Sequence, residues 1–346
     1  MALLDKNVKD QVSSTHKLFF HQNFYYWNDA MRGILIGEVC PRMIEAGKPT
    51  LALQLANMAD NMLLGKVNKI ATGLVAKEGV WYGEDFSENT LHNYRYAENL
   101  YNPHDYSNSF FEMIDSLDAK TAAAYLQHVV KPASALEQYA NERGYTGRDY
   151  LNDMVGTHYL RELNYSQALA YLSRVSDAYR HHHNLTLKFD PFSYLPKPIA
   201  PTAVFKLGFA QEMLRLEGAI KQAVDGDEKA RLLYKYALGT LNSFKNCWPL
   251  VHYYKGTGYV NSVCRKRHWW DDAYTQRAYA QFDKLVAQAC AVAEDKNIAA
   301  DIQYELCNFK TVAQQYPASE KAQLIKGECD NLKDYYRSFQ PVGYYY

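Results

Sequence analysis

Three consecutive histidines, His181, His182 and His183, are the first residues whose type suggests chemistry. Two helical side chains face one metal ion when they lie three or four positions apart. Consecutive side chains on a helix point about 100° apart instead. The run therefore favours a helix end, where histidine can meet the last carbonyl groups, and we predict no metal site.

The segment CRKRHWWDDAY, residues 264–274, is the densest cluster of functional residue types. A cation beside Trp269 or Trp270 can hold an aromatic or anionic ligand, although a charged loop whose tryptophans pack onto the core is the simpler explanation of the segment. Asp271 and Asp272 raise the question of glycoside hydrolysis, which needs two carboxylates roughly 5 to 10 Å apart across a cleft. Adjacent residues at a helix start point apart, so we interpret the two acids as stabilising a helix N-terminus.

The motifs of common catalytic and nucleotide-binding sites do not occur in the sequence. There is no G-x-S-x-G, H-E-x-x-H, P-loop or G-x-G-x-x-G. The glycines of KGTGYV, residues 255–260, resemble a phosphate loop only superficially, because no Lys-Ser/Thr follows where it is needed. We therefore predict a protein with no catalytic residues and no cofactor.

Charge and hydropathy exclude two further classes. The 346 residues include 38 basic and 38 acidic side chains, so we expect no nucleic-acid partner. No apolar run approaches the ~20 residues of a membrane span, so we expect no membrane insertion. The N-terminus MALLDKNVKDQV does not read as a signal peptide. This favours a cytoplasmic protein, or one of the periplasm or cell surface if the chain is cut from an exported precursor.

The tyrosines and the cysteines of the chain each allow two structural roles. The 30 tyrosines suit wedges between packed helices, or an aromatic groove for a peptide or sugar. The 6 cysteines form no C-x-x-C and no zinc spacing, so we expect single buried thiols. A bond between Cys307 and Cys329 is the alternative, because these two residues would lie on neighbouring helices.

Residues 150–179, YLNDMVGTHYLRELNYSQALAYLSRVSDAY, have the spacing of two antiparallel helices. A small residue lets the helices approach, an aromatic ring fills the gap, and a second small residue lies opposite. The segment resembles a tetratricopeptide repeat, with Asn152 at the usual tryptophan position. This pattern is carried by Gly156, Tyr159, Ala168, Leu172 and Val175.

In such a repeat the first helix lines a concave groove. Counting from Gly156 places Tyr150, Asp153, Thr157 and Arg161 on the groove side, although each charged residue taken alone is better explained as an ordinary solvated charge. We therefore predict a non-enzymatic binding or scaffold protein that engages a protein or peptide partner through a Tyr-rich concave surface. The alternative is a carbohydrate-binding or glycan-processing helical protein with its cleft near Trp269 and Trp270.

The remaining chain also reads as helical, with apolar residues three and four apart and no set of alternating strands. We expect an all-α superhelix of stacked antiparallel helix pairs, divided into residues 1–189, 190–201 and 202–346 but forming one continuous solenoid. Prolines at 191, 196, 198 and 201 predict an extended middle segment that packs on the protein. Pro41 predicts a kink or break in an early helix.

Two later segments strengthen the resemblance to helical repeats. The segment DEKARLLYKYALGTLNSFKNCWPLVHYYKGTGY, residues 227–259, and the C-N-F-K-T, Y-P and C-D-N-L-K-D-Y motifs after residue 306 carry it. Together they resemble the C-terminal region of uncharacterised helical-repeat proteins from Bacteroidetes, over about half of the chain. The resemblance implies tetratricopeptide-like helices, frequently in exported proteins of the cell envelope, and supplies no catalytic residues.

Overall fold

The computed structural model of the protein describes residues 34–59, 109–142, 144, 146–182, 186–203, 206–253 and 273–327. These residues are mostly helical and include almost no strand. The predicted all-α class is therefore confirmed at this level.

Two compact units make up the fold, and the chain leaves the first unit and later returns to it. Unit 1 holds the described residues up to 182 together with His252 and Tyr253. Unit 2 holds residues 186–203, 206–251 and 273–327. The divisions at residues 189 and 201 stay predictions.

The described part of unit 1 begins with a π-helical turn at Leu35–Val39. The α-helices that follow are α1 (Cys40–Glu45), α2 (49–59), α3 (Ser109–Asp115), α4 (Ala119–Val130), α5 (Ala135–Asn141), α6 (Arg148–Arg161), α7 (Tyr165–Leu172) and α8 (Asp177–His182).

Proline and glycine set the limits of the first helices. Pro41 lies in the first turn of α1, directly after the π-helical turn, so its missing N–H costs no bond inside a helix. The disturbance that Pro41 predicts thus takes the form of that turn. Gly47 has φ +73°, a left-handed conformation that ends α1 while Lys48 N donates to Met43 O over 2.8 Å. Pro49 then opens α2.

Helices α6 and α7 form the tight pair that the sequence predicts. A Cβ added to Gly156 would lie 2.6 Å from Cγ of Leu172 and 3.4 Å from the carbonyl oxygen of Ala168. The rings of Tyr159 and Tyr171 stack beside this contact, with centroids 5.6 Å apart. Glycine is therefore required for the close approach of these two helices.

In unit 2 the described residues form an antiparallel hairpin, β1 (Thr186–Phe189) and β2 (Pro198–Ala203), in which Thr186 pairs with Ala203 and Phe189 with Pro198. The helices are α9 (Lys206–Gln222), α10 (Gly226–Asn242), a 3-10 turn (Trp248–Val251), α11 (Ala273–Val292), α12 (Lys296–Glu305), α13 (Phe309–Gln315) and α14 (Glu320–Gly327). The hairpin accounts for the extended proline segment but was not predicted as strand.

One type of helix connection occurs in both units. Leu163 after α6 and Cys307 after α12 have φ of +60° and +61°. Each is followed by an asparagine whose N–H donates back into the preceding helix, Asn164 to Tyr159 and Asn308 to Gln303. Left-handed residues that end a helix in this way satisfy its last carbonyl groups. An aromatic residue, Tyr165 or Phe309, begins the next helix.

Candidate functional site

A cleft of about 410 Å³ lies within unit 2, between the turn of the hairpin, α10 and α12. Ligand pockets commonly have volumes of roughly 300 to 1,000 Å³. The floor consists of buried side chains, and the walls carry charged ones. The floor residues are Tyr234, Leu238, Ile298 and Ile302.

Helical spacing places a charged rim above the floor on each side. Arg231 and Lys235 are four positions apart on α10, and Asp301 and Glu305 are four positions apart on α12. Residues at this spacing share one face of a helix. The cleft therefore has a basic rim on α10 (Arg231 and Lys235) and an acidic rim on α12 (Asp301 and Glu305).

The hairpin turn supplies the third wall and is tied to α10. The side-chain nitrogen Nδ2 of Asn242 donates to the carbonyl oxygens of Pro191 and Ser193, over 2.9 and 2.7 Å. A Cβ at Gly239 would lie 2.8 Å from the ring of Phe192. The absence of a side chain at Gly239 thus allows Phe192 to pack against α10 and line the cleft.

An ion-pair network fixes Lys235. Its Nζ lies 2.8 Å from Oε1 of Glu212, whose carboxylate also accepts hydrogen bonds from Arg215. Lys235 Nζ also lies 4.9 Å from the centroid of the Phe192 ring, within the range of a cation–π contact. The hydrogen bond from Arg215, followed by the bond and charge of Lys235, lowers the pKa of Glu212 to about 2. The carboxylate therefore stays ionised at neutral pH.

The other rim charges do not neutralise one another. Among the described residues, Arg231, Lys197 and Glu305 have no ion-pair partner, and all three are exposed. Asp301 has only a long contact of 4.0 Å with Lys321. Charges of opposite sign thus lie on facing sides of one cleft without pairing across it, so both signs remain available to a ligand.

Tyr234 adds a neutral donor to the floor. Burial, reinforced by the nearby Glu305 carboxylate, raises the pKa of Tyr234. Its hydroxyl oxygen is buried and makes no hydrogen bond of normal geometry to the described residues. The hydroxyl therefore keeps its proton at physiological pH.

A second polar cluster lies in unit 1 and consists of Asp115, His158, Arg161 and Tyr253. The Tyr253 hydroxyl donates to Oδ1 of Asp115, and Arg161 donates to the same oxygen over 2.9 Å. Nε2 of His158 lies 3.2 Å from the Tyr253 oxygen, and the guanidinium carbon of Arg161 lies 4.9 Å from the centre of the Tyr253 ring. A carboxylate, a phenol and an imidazole are thus linked by hydrogen bonds, with the Tyr253 hydroxyl in the middle.

Burial decides what the unit 1 cluster can do. His158 is 0% exposed and Tyr253 is 1% exposed, so a substrate cannot reach either ring. Burial, and secondarily the charge of Arg161, holds the pKa of His158 well below its ordinary value. Since the Tyr253 proton goes to Asp115, we assign the His158 proton to Nε2. The cluster is thus suited to holding α3 and α6 together with the chain that returns at Tyr253.

The structure places three of the four predicted groove residues inside unit 1, among them Thr157, which is fully buried. Tyr150 is 1% exposed and Arg161 is 8% exposed, and Arg161 is bound to Asp115. Their side chains therefore contribute to the core and do not line an open groove; the prediction treated one face of α6 as solvent-exposed. Asp153 is partly exposed, and its carbonyl accepts a hydrogen bond from Thr157. Trp269 and Trp270 lie outside the described residues, as do Asp271 and Asp272.

Sequence reasoning missed the cleft of unit 2. The sequence shows pairs of charged residues four positions apart in α10 and α12. Such pairs usually lie on a solvated helix face, so they do not by themselves indicate a site. What makes them a site is the hairpin turn beside them, and that contact depends on Asn242 and Gly239, which are far from Phe192 in sequence.

Other features of the described residues add no further site. Helix α8 ends at His182, and no group of three metal-binding side chains occurs in the described ranges. Cys40 and Cys247 are buried, and Cys290 and Cys307 are partly exposed. Cys264 and Cys329 lie outside the described residues, so the bond between Cys307 and Cys329 stays a prediction. In that same part of the chain no helix is both long and apolar enough to cross a membrane.

Comparisons with known proteins found no match. No family model matches the chain, and no curated protein and no solved structure is significantly similar to it. The resemblance to tetratricopeptide-like proteins of Bacteroidetes stays a prediction.

Proposed function

We propose that the protein is a non-enzymatic helical binding protein that holds a peptide segment of a protein partner in the cleft of unit 2. The observation that carries the proposal is the cleft itself: about 410 Å³, an apolar floor, and two exposed rims of opposite charge. An exposed site with charged rims suits a segment of a larger molecule better than an enclosed small ligand. The tetratricopeptide-like architecture belongs to this proposal, supported by the α6–α7 pair and the repeated helix connection.

The binding surface proposed here differs from the Tyr-rich groove expected from the sequence. Tyr150 and Arg161 are buried, whereas the cleft combines Phe192 and Tyr234 with charges that reach solvent. A protein or peptide partner remains the expected ligand, because recognition of a peptide uses apolar anchors together with charged flanks.

The test is an array of random 12-residue peptides probed with the labelled full chain. We expect a set of bound peptides whose affinity falls about tenfold in Glu305→Trp, because an indole on the acidic rim would fill the cleft. The control is Asp283→Trp, at an exposed position of α11 outside the cleft lining. This variant is expected to bind as the wild type does.

Thermal unfolding of both variants checks that the fold is kept. The proposal is overturned if the wild type binds no peptide, or if Glu305→Trp and Asp283→Trp bind equally well. A glycan array run in parallel distinguishes peptide binding from the alternative, carbohydrate binding. Glycan binding without peptide binding would replace the peptide proposal with a carbohydrate-binding function.

A further inference from the structure

The two rims of the cleft also indicate which peptides would fit. We infer that the bound segment carries an apolar side chain flanked by one acidic and one basic side chain. The inference rests on the proposed function, because it specifies the ligand of the same cleft. It follows from three observations: the floor, the spacing of the rim charges, and the absence of pairing between the rims.

The floor selects an apolar anchor. Leu238 and Ile302 are buried at 3% and 4% exposure, and Ile298 lies one turn before Ile302 on α12. A charged side chain placed on this floor would lose its hydration and find only the Tyr234 hydroxyl as a polar partner, and that loss is unfavourable. An aliphatic side chain instead removes apolar surface from water.

The rims select the flanking charges. The basic rim offers Arg231 to a carboxylate, and the acidic rim offers Glu305 to an amine or guanidinium. Neither has an ion-pair partner among the described residues. A ligand with charges of one sign only would satisfy one rim and be repelled by the other.

The spacing along each rim matches an extended chain. Four residues of α-helix rise about 6 Å, and two residues of extended chain span about 6.6 Å. An extended peptide laid along the cleft can therefore place side chains two positions apart beside successive charges of one rim. Lys235 is already paired with Glu212, so Arg231 is the cation that a ligand carboxylate meets at lowest cost.

The experiment uses three labelled peptides that share a central leucine and differ only in flanking charge. One carries glutamate on one side and lysine on the other, the second carries two glutamates, and the third carries two lysines. Fluorescence anisotropy with the full chain is expected to rank the mixed peptide tightest, by about three- to tenfold over either of the others.

Charge reversal on the rims then changes the ranking. Arg231→Glu puts a carboxylate on the basic rim, where Lys235 is already paired with Glu212, so the two-lysine peptide is expected to become the tightest ligand. Glu305→Lys adds a cation to the acidic rim and leaves there only Asp301, which has a long contact with Lys321, so the two-glutamate peptide is expected to become the tightest. Lys284→Glu and Asp283→Lys make the same charge changes at exposed positions of α11 outside the cleft. In these controls the mixed peptide is expected to stay first.

The outcomes distinguish this inference from the function it rests on. If peptides bind and Glu305→Trp weakens binding as expected, but the ranking is the same in Arg231→Glu and Glu305→Lys, the charge pattern is wrong and the peptide-binding function stands. If no peptide binds here or on the random array, both proposals are overturned. Circular dichroism of each variant confirms that the comparison is made between folded proteins.

Discussion

Each unit contains a cation bound to a carboxylate, but the two pairs differ in exposure to solvent. In unit 1 the side chains of Arg161 and Asp115 are 10% and 11% exposed. In unit 2 those of Lys235 and Glu212 are 42% and 27% exposed. Losing one partner of a buried pair leaves an uncompensated charge in the interior, whereas an exposed charge is rehydrated. A cation–carboxylate pair therefore stabilises the interior of unit 1, whereas in unit 2 a pair of the same kind holds a charged side chain beside the proposed binding surface.

The largest difference is expected when each pair loses its carboxylate. Asp115→Ala leaves Arg161 buried without its partner, which should lower the unfolding free energy of unit 1 by about 3 to 5 kcal/mol. Glu212→Ala, the matched change in unit 2, should cost less than about 1 kcal/mol. Urea unfolding followed by far-UV circular dichroism measures both. Equal losses would show that burial does not separate the two pairs.

The two close-approach glycines give the next contrast. Gly156→Ala places a Cβ against the branched Cγ of Leu172, whereas Gly239→Ala meets the flexible Met213 side chain and the edge of Phe192. Overpacking costs about 1 to 3 kcal/mol, offset in both helices by a propensity gain of about 1 kcal/mol. We expect Gly156→Ala to destabilise by about 1 to 2 kcal/mol.

Gly239→Ala should be nearly neutral in the same unfolding measurement but should weaken peptide binding, because Phe192 must shift. Leu172→Ala combined with Gly156→Ala tests whether contact with Leu172 causes the loss of stability in Gly156→Ala. The cost of Gly156→Ala should fall when the leucine side chain is absent. If the two costs simply add, the clash with Leu172 is not their cause.

Acid should affect unit 1 through His158. Its pKa is lowered in the folded state, while in the unfolded chain it has the ordinary value of about 6.5. The stabilisation is therefore full above pH 6.5 and decreases as the pH falls below 6.5 toward the folded pKa, by up to about 1.4 kcal/mol per pH unit. His158→Gln should show a flatter dependence between pH 5 and 6.5. Identical slopes in the two proteins would refute this assignment.

The smallest effect is expected on the rims of the cleft. Arg231→Glu reverses an exposed charge that has no ion-pair partner among the described residues. The unfolding free energy should therefore change by less than about 0.5 kcal/mol. The same variant should alter the peptide ranking. A loss of several kcal/mol would mean that Arg231 is structural and would remove it from the proposed site.

Local features of the fold were predictable because they depend on neighbours in sequence. Asp118 caps α4 by accepting from Thr121 N, and Asp225 caps α10 by accepting from Glu228 N. Each is an aspartate directly before a helical run, which is a common N-cap arrangement. Gly156 and Ala168 were correctly placed in one tight helix pair, since small residues at that spacing permit close approach.

The candidate site was not predictable because it depends on distant residues. Arg161 has the spacing of a groove residue on α6, yet Asp115, 46 positions earlier, draws it into the interior. The cleft likewise needs the hairpin turn to be held at Pro191 and Ser193 by Asn242, about 50 positions later. Periodicity gives the faces of a helix but not which element covers each face.

The late return of Tyr253 to unit 1 has a consequence for synthesis of the chain. Asp115 and Tyr253 are 138 positions apart, and the intervening chain includes the hairpin, α9 and α10 of unit 2. On the ribosome, His158 and Arg161 emerge long before the phenol that completes their bonding. A nascent chain stalled before residue 253 should therefore hold unit 1 in an incomplete form that is open to proteolysis and chaperone capture.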